Sequence, residues 1–167
     1  MRAIVVYESL WGNTEQVAQA IAHGLDGSFA VELVNAEVAP VRLEEYDLVV
    51  VGGPTHAFSM SRPSTREGTP KNTPAPRVVT RGIREWLDDL TAVFSTIRAV
   101  VFDTKVESPR LPGSAAKAAR HELRSKGFDV TTEPETFRVH GYDGPLVDGE
   151  LDRAKAWAHS LGGEAGR

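Results

Sequence analysis

The sequence predicts an α/β fold built on a doubly wound, five-stranded parallel sheet in the order 2-1-3-4-5, with helices on both faces. Three observations predict it. Short β-branched apolar runs alternate with helix-length amphipathic stretches along the chain. Tyr46 to Val51 (YDLVVV) reads as a strand buried on both faces, as the middle of a parallel sheet requires. The 167 residues, 41% of them hydrophobic, suffice for one domain with a two-sided core but not for two.

Taken in order, residues 2 to 7 (RAIVVY) form the first strand, and 14 to 25 a helix with Val17, Ala18, Ile21 and Leu25 at helical spacing. Phe29 to Val34 is a more polar strand, suited to a sheet edge, and Tyr46 to Val51 is the third. Residues 80 to 91 form a helix with Ile83, Trp86, Leu87 and Leu90 on one face, before a fourth strand at Ile97 to Phe102. Ser114 caps a helix that runs to about Lys126 and stops at Gly127. The fifth strand lies within 128 to 139, where Pro134 predicts a split or bulge. The last helix spans Gly149 to Leu161 with Leu151, Ala154, Trp157, Ala158 and Leu161 inward, so the domain is expected over 1–162 and a frayed tail over 163–167. Ser61 to Pro76 is rich in Pro, Ser and Thr for a connection in a compact domain.

Composition removes several function classes. With no cysteine, the chain has no disulfide, no thiolate nucleophile and no iron–sulfur ligation, so redox chemistry has to be carried by a bound group. The formal charge of −4 gives no general reason to expect nucleic acid or an anionic membrane as partner. The apolar run after Met1-Arg2 stops at Glu8, too early for a signal peptide, and no stretch has transmembrane length; the expected location is the cytoplasm. The five histidines are scattered without ligand spacing. Adjacent acids such as Glu44-Glu45 and Asp88-Asp89 point apart and suit solvation better than a shared acid/base pair.

The chemistry-bearing residues collect at strand ends. In open parallel sheets ligands bind beyond the carboxyl ends of the strands, where the strand order reverses. The first such loop, Glu8 to Thr14, offers hydroxyl and amide side chains, a glycine for a tight turn and the free amides of a helix start, together an anion nest. It has neither the lysine and glycine spacing of a Walker A loop nor the glycines of a GxGxxG fingerprint. A helix start capped by Thr14 would account for the same residues without a ligand. The third strand leads into Gly52-Gly53-Pro54-Thr55-His56-Ala57-Phe58 and the fourth into Asp103-Thr104-Lys105, so three loops converge on one cleft. Paired glycines let a flat ring approach the backbone, and Pro54 fixes the loop's direction. A phospho-acceptor receiver domain has the same sheet order, but Gly-Gly-Pro-Thr stands where its aspartate would be required.

Here the sequence resembles the flavodoxin family, through Ser9-Leu10-Trp11-Gly12-Asn13-Thr14, through VVVGGPTH and through the strand order over nearly the whole chain. The resemblance implies an FMN cofactor. Ser9, Leu10, Trp11, Gly12, Asn13 and Thr14 would hold its phosphate, Pro54, Thr55, His56 and Phe58 would border the isoalloxazine ring, and Asp103 and Thr104 would line the other side. As alternatives, Trp11 reads as a solvent-facing indole, Phe58 as an anchor folded onto the sheet and His56 as a loop hydrogen-bonder. The implied function is an FMN-dependent electron carrier working with a redox partner protein. A flavodoxin-fold flavin or quinone reductase using NAD(P)H, and a binding module that has lost the flavin, remain open.

Two departures from the family stand out. The loop Asp103 to Gly113 (DTKVESPRLPG) holds no aromatic, so one ring face is left to aliphatic or backbone groups, to Tyr142 or to nothing. The stretch Pro54 to Arg81 carries Arg62, Arg66, Lys71, Arg77 and Arg81 against Glu67 alone, a local charge of +4 that would stabilise reduced flavin or recruit an anionic partner to the 62–81 loop.

Overall fold

β1 (Arg2–Tyr7) is nearly all buried, and strands flank it on both edges. β2 (Ala30–Asn35) pairs on one side, with Val5 opposite Leu33, and β3 (Leu48–His56) on the other, with Val5 opposite Val50. β5 (Arg98–Val106) and β6 (Glu135–Val139) complete a parallel sheet in the order β2-β1-β3-β5-β6, while the two-residue β4 (Ser59–Met60) folds back antiparallel on β3. This is the predicted α/β fold, in a computed structural model that describes residues 1–67, 76–93 and 96–164.

The period-two alternation of the strands builds two cores. Ile4, Val6, Val49, Val51, Ala99 and Val101 face one side, where α3 (Ile83–Asp89) and α4 (Ala115–Ser125) supply Trp86, Leu87, Ala119 and Leu123. Ala3, Val5, Leu48, Val50, Val100 and Phe102 face the other, covered by α1 (Asn13–Leu25) and α5 (Glu150–Glu164) through Val17, Ile21, Ala154 and Ala158. No helix joins β2 to β3; Ala36, Ala39, Leu43 and Tyr46 of the connection fill the first core instead.

Several elements differ from the sequence expectation. β3 runs to His56 and β5 to Val106, because Gly52, Gly53 and Pro54 pair with Phe102, Asp103 and Thr104; the supposed loops are strand. Gly52 permits this, since a Cβ there would lie 2.0 Å from the Phe102 ring. The hairpin to β4 turns through Ala57 (φ 45°) and Phe58 (φ 71°), a left-handed pair without the usual glycine or asparagine signature. The fifth strand is split as Pro134 predicts: β6 begins at Glu135, and upstream a single bridge joins Asp129 to Arg98. Within the Pro-rich connection α2 (Pro63–Glu67) forms, while residues 68–75 lie outside the described residues. Leu151 is 39% exposed rather than inward, and α5 continues through Glu164, past the expected start of the tail; residues 165–167 are outside the description.

α1 and α5 meet at Gly24, where a Cβ would lie 2.3 Å from the Lys155 carbonyl oxygen and 2.7 Å from the Ala158 Cβ. Gly24→Ala therefore forces the helices apart and lowers stability by about 1–3 kcal/mol despite alanine's better helix propensity. A rise in the chemical-denaturation midpoint would contradict this close contact.

Candidate functional site

At the carboxyl end of β1 the chain turns through Glu8 to Gly12. The Glu8 amide donates to the Gly52 carbonyl (3.0 Å), and the Gly12 amide donates to Ser9 Oγ (3.0 Å). Gly12 has φ 94° with nothing within 4 Å of a built Cβ, so glycine is required there by backbone conformation, not by crowding. Gly12 is also the cap residue of α1, and no side chain caps that helix. The sequence reading of Thr14 as cap is thereby replaced: its Oγ1 shares a buried 2.8 Å hydrogen bond with Thr104 Oγ1, tying the loop to β5. Leu10 is buried at 3% exposure and can serve the nest only through its backbone.

Trp11 is half-buried, not a free indole. Its Nε1 is fully buried and has no hydrogen-bond partner among the described residues. A buried N–H left unpaired costs ~1–3 kcal/mol, a cost that an acceptor oxygen arriving in the nest would remove. Ser9, Trp11, Asn13 and Thr14 line a small cleft with Pro54 and Thr104. An anion with several acceptor oxygens fits this donor set: an uncapped helix start, hydroxyls, a carboxamide and an orphaned indole N–H.

Thr55, His56, Val106 and Tyr142 also line this cleft and continue into a larger one of about 470 Å³. The larger cleft is walled by Ala57, Phe58 and Thr65 on one side and by Lys105, Pro109, Leu111 and Pro112 on the other. Phe58 is 55% exposed, so it borders the cleft instead of anchoring onto the sheet. Tyr142, one of the sequence alternatives for covering a ring face, lines both clefts. Lys105 Nζ donates to the carbonyls of Leu111 (3.1 Å) and Gly113 (2.5 Å) and so pins its own loop. Gly113 (φ 82°) meets the hairpin: a Cβ there would fall 2.1 Å from the Phe58 carbonyl oxygen.

Asp103 does not line either cleft. It is fully buried beneath them, where Oδ2 accepts from Thr55 Oγ1 (2.9 Å), Ser114 Oγ (2.5 Å) and the Ala116 amide (3.2 Å), and Oδ1 accepts from Thr136 Oγ1 (2.6 Å). The described cations of the basic loop are also largely taken up in ion pairs within the chain. Arg66 is buried between Glu8 and Glu85, Arg77 pairs with Glu15 (2.5 Å) and Arg81 with Asp89 (2.9 Å). Arg62 is exposed, and Lys71 lies outside the described residues. The residues missed by sequence reasoning, Thr65, Val106, Pro109, Leu111, Pro112 and Val139, are aliphatic or small and carry no chemical signature; only the fold reveals them as walls. Among the described residues no three His, Asp or Glu cluster to hold a metal, and no helix is long and apolar enough to cross a membrane.

Comparisons with known proteins bear on the fold that carries this site. Residues 4–65 match the Flavodoxin domain family model. No curated protein matches the chain. Among solved structures, a flavodoxin from the domain Archaea aligns over 100% of both chains (19% identity, TM-score 0.67). Oxidised flavodoxin 2 from Bacillus cereus aligns over 98% of this chain and 99% of its own (18% identity, TM-score 0.69). A Streptococcus pneumoniae flavodoxin does so over the same shares (16% identity, TM-score 0.70). The resemblance read from the sequence is thus borne out: residues 4–65 match a flavodoxin-domain model, and the chain has the fold of the flavodoxins it aligns with.

His56 is held neutral. Burial, with the Arg66 guanidinium second, pushes its pKa from 6.5 down to about 4. An unfolded chain takes up a proton here below 6.5 and the folded chain only near 4, so this residue erodes stability as pH falls through that window. Glu8 acts with the opposite sense, since burial raises its pKa to about 7 and its contribution to stability falls as pH rises from 4.5 toward 7. In His56→Gln the acid-side loss is removed while the Glu8 contribution stays, so the melting temperature falls less on acidification than in the parent. Parallel melting curves from pH 6.5 to 4 check it; superimposable pH dependences would contradict the assignment.

Proposed function

We propose that the chain is an FMN-binding, flavodoxin-like electron-transfer protein. The observation that carries this reading is the unpaired, buried Trp11 Nε1 in a nest formed by Gly12 and an uncapped helix start, opening onto a cleft large enough for a flat ring system. The flavodoxin-domain match covers this nest and the GGPTH strand end, which supports the cofactor assignment.

In this reading Ser9, Asn13, Thr14 and the Trp11 indole bind the phosphate with neutral donors, and the α1 dipole supplies the favourable potential in place of a lysine or arginine. Val106, Tyr142 and the Gly53–His56 strand end orient the ring, and the clefts' walls limit its access to water. When bound, FMN supplies reversible transfer of one or two electrons. His56, neutral at physiological pH, offers the site a hydrogen bond but no fixed positive charge. The electron-exchanging partner is a redox protein in the cytoplasm, and of the described cations in the 62–81 loop Arg62 and the Glu15-paired Arg77 are exposed for contact with it.

One observation favours a second reading. The larger cleft's apolar walls, Phe58, Pro109, Leu111 and Pro112, leave room beside a flat ring for another planar molecule, as a flavin or quinone reductase needs.

The purified protein is expected to retain FMN through gel filtration, with visible absorption bands shifted from free flavin. Riboflavin, which lacks the phosphate, is expected to bind at least about tenfold more weakly, the equivalent of one or two charge-assisted hydrogen bonds. Equal affinities would remove the phosphate nest from the reading. No retained flavin at all would leave a binding module of the same fold. Sustained NAD(P)H oxidation with a quinone, and no added reductase, would favour the enzyme over the carrier.

A further inference from the structure

A buried charge cluster lies behind the two clefts, outside the cofactor contacts. Glu8, 1% exposed, directly precedes the phosphate-loop Ser9. Its carboxylate accepts from Ser61 Oγ (2.6 and 2.7 Å to its two oxygens) and from Arg66 Nη1 (3.4 Å). Arg66 Nη1 also donates to Ser61 Oγ (2.8 Å), and Nη2 is bonded to Glu85 of α3. Gly82 makes room for the cluster: a Cβ there would stand 1.6 Å from Glu8 Oε1 and 2.7 Å from Arg66 Nη1.

This cluster is costly. Both charges are desolvated, and Arg66 Nε is buried with no partner among the described residues. A buried pair of this kind is often no more stabilising than apolar side chains of the same volume, so general stability is a poor explanation for it. What it does achieve is placement. α2 has five residues, far too few to hold helical form unaided, and its Arg66 is the residue that reaches into the protein. The neighbouring Thr65 lines the larger cleft from the same short helix.

We infer that Arg66 is a positioning residue: by clamping α2 to Glu8 and Glu85 it holds Thr65 in place as part of the wall of the larger cleft, and fixes that wall relative to the phosphate loop. This inference rests on the flavin reading for its functional meaning. Arg66 itself lines neither cleft and acts on a bound ring only through α2.

The test compares the parent protein with Arg66→Met and with the double variant Glu8→Gln/Arg66→Met. The single variant strands the Glu8 carboxylate and can fail to fold; the double variant removes both charges at nearly constant volume and keeps the fold testable. Hydrogen exchange is followed without flavin, by segment. Exchange across residues 61–67 is expected to be at least about tenfold faster in the double variant, with β1 and β5 unchanged. With flavin added, iodide quenching of its fluorescence is expected to rise, and FMN and riboflavin affinities to fall by a common factor, because the change lies on the ring side and not at the phosphate. Unchanged exchange in 61–67 overturns the clamp. Faster exchange with unaltered flavin affinity and iodide access reduces Arg66 to a purely structural residue and overturns the positioning role. If the parent retains no FMN, the flavin reading fails in its own arm, and the exchange arm still decides the clamp.

Discussion

The upper end of the sheet is organised around one carboxylate. Asp103 sits at the point where β3, β5, β6 and the start of α4 come together, and it accepts a hydrogen bond from each of the three neighbours: Thr55, Thr136, and Ser114 with the Ala116 amide. A fully buried anion survives only when its lone pairs are met, and here four donors meet them while the amino end of α4 faces the charge. Thr55 in turn accepts from the Ala115 amide (2.9 Å), so the strand residue that borders both clefts is fixed from below. The cleft floor is therefore rigid for reasons that lie one layer beneath it.

Above that floor the site divides by chemistry. The end beside α1 consists of neutral donors and a helix dipole, suited to a doubly charged group that would otherwise demand a cation. The other end is apolar, with its one lysine occupied by the carbonyls of its own loop and its one histidine uncharged. A molecule with an anionic tail and a flat uncharged head matches this division without help from any counter-ion. Behind it the Glu8–Arg66 pair keeps formal charge close to the site yet away from solvent.

The parts of this arrangement legible in the sequence are those whose signal is local. Gly12 stands alone among larger residues, and the αL backbone it adopts is the one a tight turn needs. The inward faces of α3 and of the central strands follow from period alone. What was not legible depends on register. Gly52-Gly53-Pro54 has the composition of a loop, and only its pairing with Phe102-Asp103-Thr104 makes it strand. Asp103 looked like a lining residue because its position along the chain is right, but its side chain is drawn down to donors more than ten residues away in sequence. The charge of the basic loop reads as unpaired in the sequence because its acidic partners, Glu8, Glu15, Glu85 and Asp89, are remote in the chain or lie beyond it.

Those same ion pairs fasten two segments of the chain to the body of the protein independently of each other. Arg66 is fastened to Glu8 and Glu85 just before residue 68, and Arg77 is fastened to Glu15 of α1 just after residue 75. The two ends of the intervening stretch are held by side chains that do not depend on what joins them. The segments that carry Arg66 and Arg77 are thus each held to the body of the protein by their own charges, and neither owes its place to its neighbour along the chain.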